Sequence, residues 1–294
     1  MKTLFSLLLL VNLTLCANAQ LLWKISGKGL EQPSYVFGTY HLSPLSIKDS
    51  INGMSQAINE TKQLYGEIIM SESKEPAFIQ KAQQLMMLPK DTTLKSLFTP
   101  EDYELLGKVV KETMKIDIAM LSQLKPAFIN TQLAILFYLQ HSKAFNPQEQ
   151  LDTYFQQQAV QQGKKVGGLE SSESQLEVLF NSATLQRQAD LLACTAKNVE
   201  EVIEKAKQIV EYYQTQNLDE IFRLINEDKN EICGSTPEEL DVMIYNRNRA
   251  WVKKMPAIMS EAPTLFVVGV GHLPGKQGVL KLLEKQGYKV EAMK

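Results

Sequence analysis

The chain's apolar and polar positions switch between two periodicities, and the switches mark its elements. Ser34-Tyr35-Val36-Phe37 is a short β-branched and aromatic run set off by Pro33 and Gly38, a strand signal. Residues 47–64 carry apolar positions near helical spacing, and the run 64–70, Leu-Tyr-Gly-Glu-Ile-Ile-Met, reads as a buried strand. From 75 to 163 the punctuation is helical. Thr99-Pro100-Glu101-Asp102 supplies a cap, a proline at the first helical position and acids in the first turn. A long apolar set spans 123–140, and a helix over 151–162 is stopped by Gly163. Residues 165–170 predict another short strand, Ser171-Ser172-Glu173 a helix start, and 198–226 a further helix. A strand at 264–268, a helix at 279–286 and a strand at 288–292 close the chain. The class expected is α/β, one domain over 20–294 with a large, mainly helical insertion at about 75–163.

The two ends repeat each other. Pro33-Ser34-Tyr35-Val36-Phe37-Gly38-Thr39-Tyr40-His41-Leu42-Ser43-Pro44 matches Pro263-Thr264-Leu265-Phe266-Val267-Val268-Gly269-Val270-Gly271-His272-Leu273-Pro274. Each copy is a proline, an apolar strand, Gly-x-x-His, a leucine and a proline, with a helix and a strand to follow. The expected arrangement is duplicated βαβ-like halves sharing one mixed sheet. Both histidines then lie in loops at the carboxyl ends of parallel strands, where ligands gather in open α/β sheets. The glycine lets the backbone turn sharply and lets a neighbour approach closely. Two imidazoles from opposite ends of the chain suit a metal; the plainer alternative is that each fixes its own turn. His141, at the end of an apolar helix, reads as a surface or capping residue.

Composition narrows the class. The 294 residues hold 31 Lys+Arg against 33 Asp+Glu and are 44% hydrophobic, enough to bury a sizeable core, and a net charge of -2 gives no footprint for nucleic acid or an anionic membrane surface. Lys2, an apolar run over 4–15 and Ala17-Asn18-Ala19 form a secretory signal peptide over residues 1–19, too short to span a bilayer, with cleavage expected near Ala19. The protein is therefore expected to be exported, periplasmic or extracellular, without a stable membrane span. Lipidation at Cys16 is disfavoured by Leu15 before it. Cys194 and Cys233 then face an oxidising compartment and read as a structural disulfide.

A site needs carboxylates as well. Glu67 interrupts an otherwise apolar strand and Glu170 ends Val-Gly-Gly-Leu-Glu at a strand-to-helix junction; burying either charge without a partner costs several kcal/mol. Glu170 also suits the following helix N-terminus, and Glu67 an edge strand reaching solvent. Arg247 and Asn248, in Tyr245-Asn246-Arg247-Asn248-Arg249, are candidates to pair with those carboxylates or to hold a substrate carbonyl, or else form a helix-surface salt bridge.

These residues resemble the TraB/PrgY/GumN family, to which the Tiki metalloproteases are related. The resemblance runs through Phe37-Gly38-Thr39-Tyr40-His41, the Tyr-Gly-Glu strand ending in Glu67, Gly168-Leu169-Glu170 with Gln175 behind it, Arg247-Asn248 before Trp251, and Val268-Gly269-Val270-Gly271-His272. It implies a metal-dependent hydrolase, peptidase-like, acting on a peptide or small-molecule substrate. A divalent metal ion, Mn or Co with Zn as the alternative, would be held by His41, His272 and Glu67. Glu67 or Glu170 would move protons, and Arg247 would stabilise the developing oxyanion. Two alternatives stay open: a metal-free esterase with one histidine as base, and a secreted protein that sequesters a peptide, haem or metal without turnover.

Overall fold

The computed structural model describes residues 20–141, 146, 148–227 and 233–293, the Glu227 side chain excepted. The signal-peptide reading of residues 1–19, with Ala19 and Cys16, lies outside them. Among the described residues no helix is long and apolar enough to cross a membrane.

Six strands form one mixed sheet in the order β4-β3-β5-β2-β1-β6. They are β1 (Leu22–Ser26), β2 (Ser34–Thr39), β3 (Gln63–Gly66), β4 (Lys165–Gly168), β5 (Thr264–Gly269) and β6 (Lys289–Ala292). β4, β3, β5 and β2 run parallel, while β1 is antiparallel to both β2 and β6. The central pair β2 and β5 is buried on both faces, which is why both read as unbroken apolar runs rather than alternating ones. The edge strands, Lys-Val-Gly-Gly and Lys-Val-Glu-Ala, carry the charge that discourages further pairing.

The chain is α/β, as its pattern predicts. After β2 it crosses β5 to reach β3, and after β5 it crosses β2 and β1 to reach β6 at the opposite edge. The first motif therefore feeds one side of the sheet and the second motif the other. β1 has no counterpart in the sequence reading: Leu22-Trp23-Lys24-Ile25-Ser26 is short and precedes the glycine-flanked turn at Gly27 and Gly29.

Three boundaries move for physical reasons. The expected helix over 47–64 is a 3-10 turn, Leu45–Ser50, and a short helix, Met54–Glu60, separated at Gly53, whose φ of 77° no longer helix can carry. The expected strand 64–70 stops at Gly66, because the Gln156 amide takes the groups that would continue it: Gln156 Nε2 donates to Ile68 O at 2.8 Å and Met70 N donates to Gln156 Oε1 at 2.8 Å. Glu67 is therefore the first residue beyond β3, not a strand residue. The helix expected over 198–226 is two, Val199–Gln214 and Leu218–Glu227, broken at Gln216 with φ 57° and restarted by the Asn217 side chain accepting from Glu220 N at 3.2 Å.

Two cores result. The sheet core gathers Tyr35, Phe37, Phe155, Tyr213, Trp251 and Phe266. A helical core gathers Leu94, Leu106, Val110, Ile129, Leu133 and Phe137 with Leu192 and Ala196, so helices on both sides of β4 in the chain build one layer. Cys194 and Cys233 are joined as a disulfide, with Cα atoms 5.6 Å apart and a sequence separation of 39. His141 ends its helix with Nδ1 2.7 Å from Phe137 O, in the capping place expected of it.

Candidate active site

The register of the parallel strands sets four chain exits on one rim. Thr39 is level with Gly269, Gly66 with Val267, and Gly66 again with Gly168. The residues just beyond these ends are His41, His272, Glu67 and Glu170. Backbone bonds from Leu169 N to Gly66 O and from Glu170 N to Glu67 O, both 2.9 Å, keep the two acids side by side.

Arg247 joins them. Its Nη2 lies 2.6 Å from Glu67 Oε2 and 2.6 Å from Glu170 Oε1, its Nε lies 3.1 Å from both Glu170 oxygens, and its Nη1 lies 2.9 Å from Met243 O and 3.1 Å from His272 Nε2. The guanidinium also stacks over Trp251, 4.8 Å from the ring centroid. The side chains of Arg247, Glu67 and Glu170 keep only 11%, 11% and 9% of their surface exposed. Gln175 Nε2 donates to Glu67 at 2.8 Å and to Glu170 at 3.3 Å. One π-helical turn, Asp241–Tyr245, directly precedes the helix Asn246–Glu261 that carries Arg247; such bulges recur at functional sites because they re-aim the side chains after them. Arg247 thus pairs with both acids, and neither surface alternative holds: Glu67 lies beyond an inner strand and is nearly buried, and Arg247 is no helix-surface ion pair.

His272 is oriented from behind. Asn248, fixed by its own bonds to His272 O and Gln277 O, places Oδ1 2.7 Å from His272 Nδ1. Nδ1 therefore carries the proton, and the Nε2 lone pair faces Arg247 Nη1 and Glu67 Oε1, 3.7 Å away. Burial is the largest cause of a His272 pKa lowered to about 4, with Arg247 and His41 pushing the same way and Glu67 opposing. For Glu67, burial works upward but is outweighed by His272, Arg247, the Gly269 N–H at 2.7 Å and His41, which bring the pKa to about 2. At neutral pH the site holds a neutral imidazole and a fixed carboxylate.

His41 stands on the same rim in a different setting. Its side chain is 63% exposed, and its Nδ1 lies 3.3 Å from Oδ2 of Asp152, a buried residue whose other oxygen accepts from Thr39 Oγ1 at 3.0 Å. The Asp152 carboxylate at Nδ1, reinforced by Glu67, raises the His41 pKa to about 9. Asp152 Oδ2 itself is buried without a hydrogen bond. The loop before His41 is held by Tyr213, whose hydroxyl donates to Gly38 O at 2.8 Å.

The sequence reading names His41, His272, Glu67, Glu170, Arg247 and Asn248, and all six reach this rim. It misses Asp152, which at the start of an apolar helix looks like an ordinary first-turn acid, and it assigns no role to Gln175. As placed, no group of three or more His, Cys, Asp or Glu among the described residues is disposed to hold a metal ion, and Arg247 sits among the donors. The donor types nonetheless fit a divalent ion: His272 Nε2, which now accepts from Arg247, stands beside Glu67 Oε1, and His41 has the Asp152 carboxylate behind its Nδ1 as metal-ligating histidines do.

The model of the TraB/PrgY/gumN family matches residues 21–292, nearly the whole described chain. The chain belongs to that family. Curated relatives include Metalloprotease TIKI1 of Danio rerio, 22% identical over 92% of this chain and 62% of its own length. Metalloprotease TIKI2 of Danio rerio is 23% identical over 92% of this chain and 60% of its own, and Metalloprotease TIKI1 of Homo sapiens 22% over 92% and 61%. The chain thus spans about three fifths of the length of the relatives it matches. No solved structure matches it.

The match covers every residue placed on this rim, from His41 to His272. The motif glycines serve close approach; neither adopts positive φ, and the chain turns just after them, at residues 40–43 and 270–273. A Cβ on Gly38 would stand 3.0 Å from Leu273 Cδ2 and 3.2 Å from Val270 Cα, and one on Gly269 would stand 3.1 Å from Glu67 Oε1. The first motif's glycine therefore lets the second motif's loop lie against it. Gly38→Ala should cost about 1–3 kcal/mol by overpacking, read as a lower urea midpoint at constant m-value; an unchanged midpoint would show that the 270–273 loop gives way freely.

Proposed function

We propose that the protein is an exported, metal-dependent hydrolase of peptidase type. The supporting observation is the convergence of both motif histidines with Glu67, Glu170 and Arg247 on one rim of the sheet, together with kinship to proteins named metalloproteases. His41, His272 and Glu67 are the residues that would hold a divalent ion, Mn or Co or else Zn. When bound, such an ion lowers the pKa of water and polarises an amide carbonyl.

The chain's own groups divide the remaining work. Glu67, ionised down to pH of about 2, is a poor base at neutral pH and suits the ligand role. Asn248 fixes the His272 tautomer so that Nε2 faces inward. Glu67 and Glu170, themselves bonded by Gln175, hold Arg247, whose guanidinium is the preorganised donor for charge developing on the carbonyl oxygen. In this reading His41, with Asp152 behind its Nδ1, serves as a ligand, which leaves Glu170 as the group to move the proton. The His41–Asp152 pair also supports a second reading, metal-free hydrolysis with this pair moving the proton.

The test is metal content and Mn- or Co-dependent cleavage of a peptide library by the chain from Gln20 onward, beside His41→Ala and His272→Ala. Stoichiometric metal lost from both variants, with activity reduced at least ~100-fold, is expected. Cleavage that survives exhaustive chelation but vanishes in His41→Ala would establish the metal-free reading instead, and no cleavage with or without metal would defeat both.

A further inference from the structure

Every N–H of Arg247 is already committed. Nε is shared between the two Glu170 oxygens, Nη2 serves Glu67 Oε2 and Glu170 Oε1, and Nη1 serves Met243 O and His272 Nε2. A guanidinium has five N–H donors, and these bonds use all five. None is left for a substrate carbonyl. The acceptors differ in what they can share. The two carboxylates and the Met243 carbonyl have lone pairs to spare, whereas His272, its proton fixed on Nδ1 by Asn248, has a single lone pair on Nε2. The 3.1 Å contact with Nη1 takes that lone pair, and an imidazole–metal bond of about 2.1 Å along it does not fit inside such a contact. His272 can therefore serve Arg247 or a metal ion, not both.

We propose that metal loading unmasks Arg247: an ion that takes His272 Nε2 displaces Nη1, and the displaced N–H becomes the donor offered to the substrate's carbonyl oxygen. The inference rests on the metal-dependent reading and adds an order to it, metal first and substrate second. Arg247 is not lost from the site in the exchange. Its Nε edge stays on both Glu170 oxygens and its face on Trp251, so the guanidinium turns about an anchor that is not among the ligands.

Proton–nitrogen NMR of the chain from Gln20 onward, labelled with ¹⁵N-arginine, reads this directly, because the sequence holds only four arginines, Arg187, Arg223, Arg247 and Arg249. Arg187→Lys, Arg223→Lys and Arg249→Lys, made singly, assign the Arg247 signals by elimination without touching the site. In the presence of chelator the Nη1 protons of Arg247 should exchange slowly with water; equimolar ZnCl₂, which is diamagnetic, should speed their exchange at least ~10-fold while the Nε–H remains protected. The second readout is calorimetric binding of MnCl₂, CoCl₂ and ZnCl₂. Arg247→Lys keeps the positive charge but not the five-donor fork, so it should bind the ion at least ~10-fold more tightly than wild type, as expected when one charge-assisted bond no longer competes. Ion binding that is lost in His41→Ala and His272→Ala, yet leaves the Nη1 protons protected and is no tighter in Arg247→Lys, overturns the unmasking and leaves the metal reading standing. Failure of all three ions to bind either wild type or Arg247→Lys defeats both. The exchange measurement is made on a protein with Arg247 intact, so it decides the inference even if Arg247→Lys does not fold.

Discussion

Arg247→Ala is expected to cost the fold about 3–5 kcal/mol and to reduce hydrolysis by two to three orders of magnitude, the loss typical of a missing oxyanion donor at about 10²–10³. The guanidinium bridges Glu67 and Glu170 at 2.6 Å each, and the two carboxylates keep about a tenth of their surface exposed. Without it, two like charges share one buried site with only the Gln175 amide between them. Arg247→Lys should recover only part of the loss, because a single ammonium cannot reach Glu67, both oxygens of Glu170 and Met243 O together. The combination of Arg247→Met with Glu67→Gln and Glu170→Gln should return most of the stability and none of the activity, since the penalty lies in the unpaired charges. Urea unfolding of the four proteins decides it. A loss below about 1 kcal/mol for Arg247→Ala would show that water solvates the acids, as at a surface ion pair.

That cluster shows what the chain's pattern could and could not reveal. Glu67 and Glu170 announce themselves because the first interrupts an apolar run and the second ends one, and a charge so placed needs a partner. Arg247 belongs to a helix with polar neighbours on both sides, so its burial follows only from the π-turn at Asp241–Tyr245 and from Trp251 behind it. Asp152 was invisible for the opposite reason: Leu-Asp at a helix start is ordinary, and only the fold brings it across to His41. The central strands were legible since double-sided burial makes them continuous apolar runs. Their boundaries were less so, because β3 is ended by Gln156, a residue some ninety positions away in sequence. Short-range pattern reports which segments are buried, while long-range side-chain bonds decide where they stop.

The strand order gives the repeat its meaning. β2 and β5 lie side by side in parallel, so the two Gly-x-x-His segments leave the sheet together even though 230 residues separate Thr39 from Gly269 in the chain. The loop of the second motif packs on Gly38, and the carboxylate after β3 bonds to Gly269 N. A site assembled this way takes its two motifs from the centre of the sheet, its most buried part, while helices add Arg247, Asn248, Asp152 and Gln175.

The metal-free protein should lose stability on acidification in two successive windows. His272 has a folded pKa near 4 against 6.5 for the free side chain. Between those values the unfolded chain binds a proton that the folded site refuses, so stability falls as pH drops from 6.5 to 4, by on the order of 3 kcal/mol in total. Glu67 follows, with a folded value near 2 against 4.5; its contribution is complete above 4.5 and is lost as pH falls from there to 2. Below pH 4 His272 carries its proton and faces the Glu67 carboxylate, which is the attraction that keeps Glu67 ionised so far into acid. His41 acts in the opposite direction: its value near 9 adds stability below 6.5 that fades as pH rises to 9, and with its side chain 63% exposed to water and salt the effect is small. Stability should therefore peak near pH 6.5 and fall faster on the acid side. Urea midpoints from pH 7 to 4 in the presence of chelator measure this, with His272→Gln as the comparison. The variant should flatten the 6.5-to-4 segment and also narrow the lower window, because it removes the protonated imidazole that holds Glu67 ionised in acid. A wild-type curve already flat between 6.5 and 5 would mean that the His272 imidazole takes its proton in the folded protein, with Asn248 and Arg247 yielding to let it.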